Sequence, residues 1–419
     1  MQERKNNSLH SPSPLALPIL HSPSSTQGPF TPNARLRAAT RLFEGLIAGS
    51  ESVAVAPNGT LVMCDRAGFV WHAEKRKGSD EAAASSFSPP RRVAHLGPGR
   101  PLGFHHDHDG NLLVCMAGGG GLVRLDGRSG RVEVLAAVAH EEEEDDKPGG
   151  RAPGGGQTGG GDGKRGEMLT PILYANDLDI DAATGAVYFT DSAAIAPVLG
   201  RGGFVDTLQA YMLSLFQGGK TGRLLVWEPG TGVARVLASG LAYANGVALL
   251  PPAVAGQPAS HAAVVETNAM RVVRVGLTGG EAGQVTPFLT AGLPGFPDGL
   301  SRGRGGASLW LALVAPPSPL ARYLAPRAVR FLAAWAPRPP LGRWGAVVRV
   351  DARTGSVRDA LFDLGGLRVS STSAVTEGAD GRLWLGNLNG EYVSVLDVDG
   401  RGGGGEGGGE RGGSSREEL

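Results

Sequence analysis

The chain has 419 residues, and its 40 lysines and arginines balance 40 aspartates and glutamates, so the formal net charge is zero. That balance argues against a general nucleic-acid binder, which carries a basic excess. Its 67 glycines and 29 prolines are spread between short apolar runs with no period of three, which excludes a collagen helix and favours an all-β chain with many turns.

In chain order, residues 1–35 are rich in Ser, Pro and Asn and read as a disordered or loosely attached leader. Its apolar run Leu15–Leu20 is six residues long, shorter than the roughly 7–15 of a signal-peptide core. A repeat follows. Its units start at Glu51 (ESVAVAPNGTLVMCD), Leu102 (LGFHHDHDGNLLVCMA), Asn176 (NDLDIDAATGAVYFTDS), Asn245 (NGVALLPP, then HAAVVETN), Asp298 (DGLSRGRGGASLWLALV) and Ser373 (SAVTEGADGRLWLGNLNG). Each unit is a strand, a Gly-containing turn and a second apolar strand. Asn58-Gly59, Asp109-Gly110 and Asp380-Gly381 supply the positive φ that such turns need. Third strands follow in GLVRLD, GRLLVWEP, MRVVRVGL and GAVVRVDA. Six such units predict a six-bladed β-propeller over residues 36–399. Cys64 and Cys115 lie in apolar runs and read as buried free thiols.

Two segments interrupt the repeat as short helical insertions on one face. Val205–Phe216 has apolar residues at Leu208, Met212 and Leu215. Residues 320–335 are amphipathic, with Arg322, Arg327 and Arg330 and a breaking Pro326. This second segment is read as capping a propeller face, with peripheral membrane contact through its basic side as the alternative. The acidic and glycine-rich stretch 141–166 is a disordered insertion, and 400–419 is a flexible glycine-rich tail.

The first residue of each unit carries the chemical signal. Inner strands of a propeller converge on one channel, so Glu51, Asn176, Asn245 and Asp298 meet there. Two carboxylates and two amides, without thiol or imidazole, are hard oxygen donors suited to Ca2+. These residue types also serve turns, so repeat phase alone leaves both roles open. His105, His106 and His108 with Asp107 and Asp109 mimic a metal cluster, but their alternation leaves at most two on one side. They read as a hairpin rim.

RPLGFHHDHDGNLLVC, YANDLDIDAATGAVYFTDS, GRLLVWEPGTG, LAYANGVAL, LPGFPDGLSR and LWLALV resemble the strictosidine synthase-like family, which includes the adipocyte plasma-membrane-associated proteins. The resemblance runs from about Leu42 to Val398. It implies a six-bladed propeller related to paraoxonases and gluconolactonases, with a catalytic Ca2+ held by a Glu, two Asn and an Asp. By motif these are Glu51 in GSESVAV, Asn176 in YAND, Asn245 in YANG and Asp298 in GFPDG. Strictosidine synthases use a last-blade glutamate as base for an amine–aldehyde condensation. The aligned residue is Ser373, and serine without a partner is no base near neutral pH.

The expected function is therefore Ca2+-dependent hydrolysis of a small-molecule ester or lactone, with Asp298 as the catalytic nucleophile or base. The alternative is a non-catalytic ligand- or partner-binding propeller of the endomembrane system. Arg416-Glu417-Glu418-Leu419 resembles a KDEL-type retrieval signal, and Asn58-Gly59-Thr60 is a glycosylation acceptor pattern at a hairpin tip. Both act only in the endoplasmic reticulum or endomembrane lumen, which requires a longer N-terminus. Without one the expected location is the cytoplasm.

Overall fold

The computed structural model describes residues 28–78, 84–142, 167–290, 292–317 and 343–398. The segment expected as a helix at 320–335, the tail 400–419, residues 1–27 of the leader and 143–166 of the insertion lie outside the described residues.

The strands form a six-bladed β-propeller. Blades one and two contain Val53–Val55, Leu61–Cys64, Phe69–Ala73 and Arg91–His95, then Arg100–His106, Leu112–Ala117, Gly121–Leu125 and Val132–Ala136. Blade three contains Ala175–Ile180, Val187–Asp191, Gly222–Trp227 and Ala234–Leu241, and a hairpin of Val138–Glu142 and Glu167–Pro171 extends its outer edge. Thus Glu141 and Glu142, which open the acidic block, are strand residues. Blade four contains Ala244–Leu249, His261–Glu266, Arg271–Gly276 and Val285–Leu289, and blade five Phe296–Arg302, Ser308–Ala315, Gly345–Asp351 and Val357–Asp363. Blade six takes Thr372–Glu377, Arg382–Asn387 and Val393–Asp397 from the C-terminal side. Thr40–Leu42 completes it antiparallel to Val393–Asp397, so the two ends of the propeller close the ring through backbone hydrogen bonds.

Each second strand is sandwiched between neighbouring blades. That is why LVMC, LLVCMA and SLWLALVA read as continuous apolar runs instead of alternating ones. The core is accordingly six layers, one per blade junction. Leu300, Leu311 and Val348 of blade five pack on Ala248 and Val265 of blade four, for example, and Leu178, Phe189 and Leu225 of blade three pack on Leu113 and Cys115 of blade two. Cys64 and Cys115 are free and buried. The predicted turn glycines Gly59, Gly110 and Gly381 have φ of 82°, 83° and 81°.

A polar seam joins blades three and four. In NDLDID the alternation points Asp177, Asp179 and Asp181 to one side. Their carboxylates accept the backbone N–H groups of Val247 (3.2 Å), Leu249 (2.8 Å) and Ala259 (2.7 Å). On the outside, residues 28–35, which composition places in the leader, are docked along Val357–Asp363. Asn33 completes that otherwise open sheet edge: its Nδ2 donates to the Ala360 carbonyl (2.9 Å) and its Oδ1 accepts the Phe362 N–H (3.1 Å). Leu36 follows into the junction of blades five and six.

Candidate metal centre

Five of the six inner strands carry a bulge at one phase, with two residues opposing one. The steps are Pro101 to Phe104, Ala175 to Leu178, Ala244 to Val247, Pro297 to Leu300 and Thr372 to Val375. The first bulged residues are Leu102, Asn176, Asn245, Asp298 and Ser373. In blade one the ladder begins at Val53, directly after Glu51 and Ser52. A bulge frees its residues from the ladder and re-aims their side chains. The repeat phase read from sequence is therefore the bulge phase. The residue after it is small in most blades. A Cβ on Gly299 would lie 2.5 Å from the Ser373 carbonyl oxygen, and one on Gly246 would lie 2.6 Å from the Asp298 carbonyl oxygen. Glycine lets the inner strands crowd together here.

The four predicted donors are all buried, at 3–6% exposure. Asn245 Nδ2 donates to Asp298 Oδ1 (2.6 Å) and to Thr267 Oγ1 (3.1 Å). Asn176 Nδ2 donates to Ser192 Oγ (2.9 Å), and Ser192 Oγ donates to the Ala244 carbonyl beside Asn245 (2.6 Å). Ser373, fully buried, donates from Oγ to the Glu51 carbonyl (2.8 Å). Burial pushes Glu51 up to about 7, against the opposing influence of Arg100. Burial and the neighbouring Glu51 charge hold Asp298 well above the carboxylate range. Arg100 is a buried cation whose guanidinium donates to Thr207 Oγ1 (2.9 Å) and the Leu388 carbonyl (3.0 Å). Among the described residues, no lysine or arginine forms an ion pair with Glu51 or Asp298.

A divalent cation fits this donor set. Both N–H groups of the Asn245 amide are used, and its buried Oδ1 has no hydrogen-bond partner. The buried Asp298 carboxyl accepts from the same amide, the buried Glu51 carboxyl is near enough to Asp298 to repel it, and burial disfavours the charged form of both. All four side chains offer oxygen, the donor that Ca2+ prefers.

The α-helix Thr207–Gln217 roofs this end of the channel. Asp206 caps it by accepting the Gln209 N–H (2.9 Å), and Gly218 ends it in the left-handed conformation. Its buried face is Thr207, Ala210 and Ser214, while Leu208, Met212 and Leu215 are half-buried. Small residues face inward because aromatic side chains already fill the mouth. Tyr243 packs edge-to-face with Tyr174 (5.5 Å) and Tyr211 (5.1 Å), and Tyr174 Oη donates to the Thr207 carbonyl (2.9 Å). Leu102 joins this cluster. Tyr243, two residues before Asn245, has φ of 62°. Left-handed backbone is strained for so bulky a residue, and such strain gathers at functional sites.

The strictosidine synthase family profile matches residues 176–278, and the strictosidine synthase-like N-terminal profile matches residues 28–72. Strictosidine synthase-like 10 of Arabidopsis thaliana is 28% identical, over 84% of this chain and 85% of its own. The adipocyte plasma membrane-associated protein of Salmo salar is also 28% identical, over 93% of this chain and 85% of its own. The chain is thus similar to strictosidine synthase-like proteins over most of its length. A gluconolactonase structure from Xanthomonas campestris shares the fold, with a TM-score of 0.52 at 18% identity over 86% of this chain and 90% of the other.

In this propeller the histidines of HHDHD diverge. His105 lines a small channel cavity with Ser52, Asp177, Ser301 and Thr376, whereas His108 is exposed and pairs with Asp109 (3.4 Å). Burial lowers the pKa of His105 and His106, and raises Asp177 to about 7. Asn58 is exposed at its turn. Sequence reading missed Arg100, Asp177, Ser192, Thr267 and the tyrosines. Only the tyrosines carried a signal, standing twice in YAN.

Proposed function

We propose that this propeller is a Ca2+-dependent hydrolase of an ester or lactone. The observation that carries the reading is the partnerless Oδ1 of Asn245, buried next to the Asp298 carboxyl, which feels the Glu51 charge and pairs with no lysine or arginine among the described residues. Glu51, Asn176, Asn245 and Asp298 would hold the ion. When bound, Ca2+ supplies a Lewis acid that polarises a carbonyl oxygen and stabilises negative charge developing on it.

The chain's own residues do the rest. Asp298, oriented by the Asn245 amide, is the group that attacks or takes a proton from water once it is ionised. Leu102, Tyr174 and Tyr243 form a wall that excludes bulk water. The fold shared with a gluconolactonase makes a lactone the first substrate class to try. Ser373 does not support the amine–aldehyde reaction, because its hydroxyl is buried and committed to the Glu51 carbonyl.

The helical roof supports the second reading, a ligand-binding propeller without turnover, since the helix and the tyrosines beneath it cover the channel end where the four donors are buried. Aryl esters and lactones tested with and without chelator decide between them. Hydrolysis that needs Ca2+ and is lost in Asn176→Ala supports the enzyme. Ca2+ uptake with no turnover supports the binding protein. No Ca2+ uptake and no turnover defeat both.

A further inference from the structure

We infer that Ser192 and Thr267 are positioning residues that fix which way the two site amides face. The inference rests on the metal reading of the site. In blade three, Asn176 Nδ2 donates to Ser192 Oγ (2.9 Å), which donates to the Ala244 carbonyl (2.6 Å). In blade four, Asn245 Nδ2 donates to Thr267 Oγ1 (3.1 Å), which donates to the Pro297 carbonyl (2.8 Å). The two relays are alike in every link. Each runs from a site amide to a buried hydroxyl, and then to the residue just before the next blade's site residue.

A hydroxyl has one hydrogen, and a carbonyl can only accept. Each hydroxyl spends its hydrogen on the carbonyl and so can only accept from the amide. The amide must turn its NH2 to the hydroxyl and its oxygen away from it. At Asn245 that oxygen is the atom left without a partner. A carboxylate at either position would set an oxygen against a hydroxyl that has no hydrogen left to give. The relays thereby explain why these two blades carry amides, which limits the ring to two negative charges.

Both hydroxyls follow an acid at the end of the second strand. Asp191 accepts the Tyr174 N–H (2.7 Å) and pairs with Arg223 (2.6 Å); Glu266 accepts the Ala242 N–H (2.7 Å) and pairs with Arg271 (2.6 Å). The acid of each pair anchors the segment leading into the asparagine, and the hydroxyl orients its side chain.

The test is calorimetric titration of the chelator-treated full chain with CaCl2. Thr267→Val keeps the shape and removes the acceptor. It should weaken Ca2+ binding about 10- to 100-fold, as loss of an outer partner of a metal ligand does. Thr267→Ser restores the hydroxyl and should restore the affinity, which a purely structural role for the threonine methyl would not allow. Ser192→Ala should weaken binding in the same way, and it decides the matter if Thr267→Val does not fold. Wild-type affinity in the folded acceptor-less variants, with loss in Asn245→Ala, overturns the positioning role and leaves the site standing. A wild-type chain that takes up no Ca2+ overturns the site and this inference together.

Discussion

Blades three and four meet the channel with an asparagine backed by a buried hydroxyl, whereas blades two and six meet it at the same bulge with Leu102 and Ser373. Leu102 packs against Tyr174 and Tyr243, and Ser373 satisfies itself on a backbone carbonyl. Both blades fold without an orphaned group at that position. Asn245 leaves an oxygen unpartnered, and Asp298 and Glu51 bury charge beside each other. Each of those choices opposes folding. The propeller needs the bulge but not the polar residue on it, and residues kept against stability mark a site.

The largest effect that can break this contrast comes from Asp298→Asn. The change keeps the shape and the acceptor for Asn245 Nδ2 but removes one of two mutually repelling carboxylates. Calcium affinity should fall at least about 100-fold, beyond the range seen for outer partners of a metal ligand. The metal-free chain should melt at a higher temperature than wild type at pH 8, because folding no longer has to keep a buried carboxyl neutral. A lower melting temperature with undiminished affinity would mean that Asp298 is a structural acid like those of the seam at Asp179 and Asp181.

The crowding that most blades share can be separated from the chemistry that only some have. Gly299→Ala would place a methyl carbon 2.5 Å from the Ser373 carbonyl oxygen and 3.1 Å from Ala374 Cα. Overpacking of this kind destabilises by about 1–3 kcal/mol. Gly280→Ala, where nothing lies within 4 Å of the added carbon, should stay within about 0.5 kcal/mol. Denaturant melts of the two variants measure the difference. Equal stability would mean that the close approach of the inner strands does not depend on the missing side chain.

The blades were legible in the sequence because sandwiched strands leave apolar runs and hairpin tips leave Asn-Gly and Asp-Gly. Three of the four expected donors, Asn176, Asn245 and Asp298, stood out because a bulge at fixed phase keeps them at the head of their units, and Glu51 because it opens its unit just before the ladder begins. Ser192 and Thr267 did not. They lie 16 and 22 residues from the amides they face, just past the end of a paired strand whose register depends on the bulge itself. Arg100 was hidden for a related reason: its partners, Thr207 and Leu388, come from the roof helix and from blade six. The helix was visible as an element, but its docking face was not. Spacing picks out Leu208, Met212 and Leu215, while an aromatic-filled mouth selects the small face of Thr207, Ala210 and Ser214.

The smallest and most graded test is pH. Burial raises Glu51 to about 7 in the folded chain, against an ordinary 4.5, and burial together with the Glu51 charge holds Asp298 well above the carboxylate range. A raised carboxyl binds its proton more tightly in the folded state, so its contribution is intact below the unfolded value and is lost as pH rises through the folded one. The chelator-treated chain should therefore lose melting temperature steadily between about pH 5 and pH 8. Calcium should do little at pH 5, where protons occupy the carboxyls, and should restore the melting temperature at pH 8, where it takes their place. In Asp298→Asn both the decline and the rescue should shrink together. A chelated wild-type chain whose melting temperature rises over that interval would show that the carboxylates are stabilised by protein contacts, and that blades one and five differ from two and six in residue type but not in role.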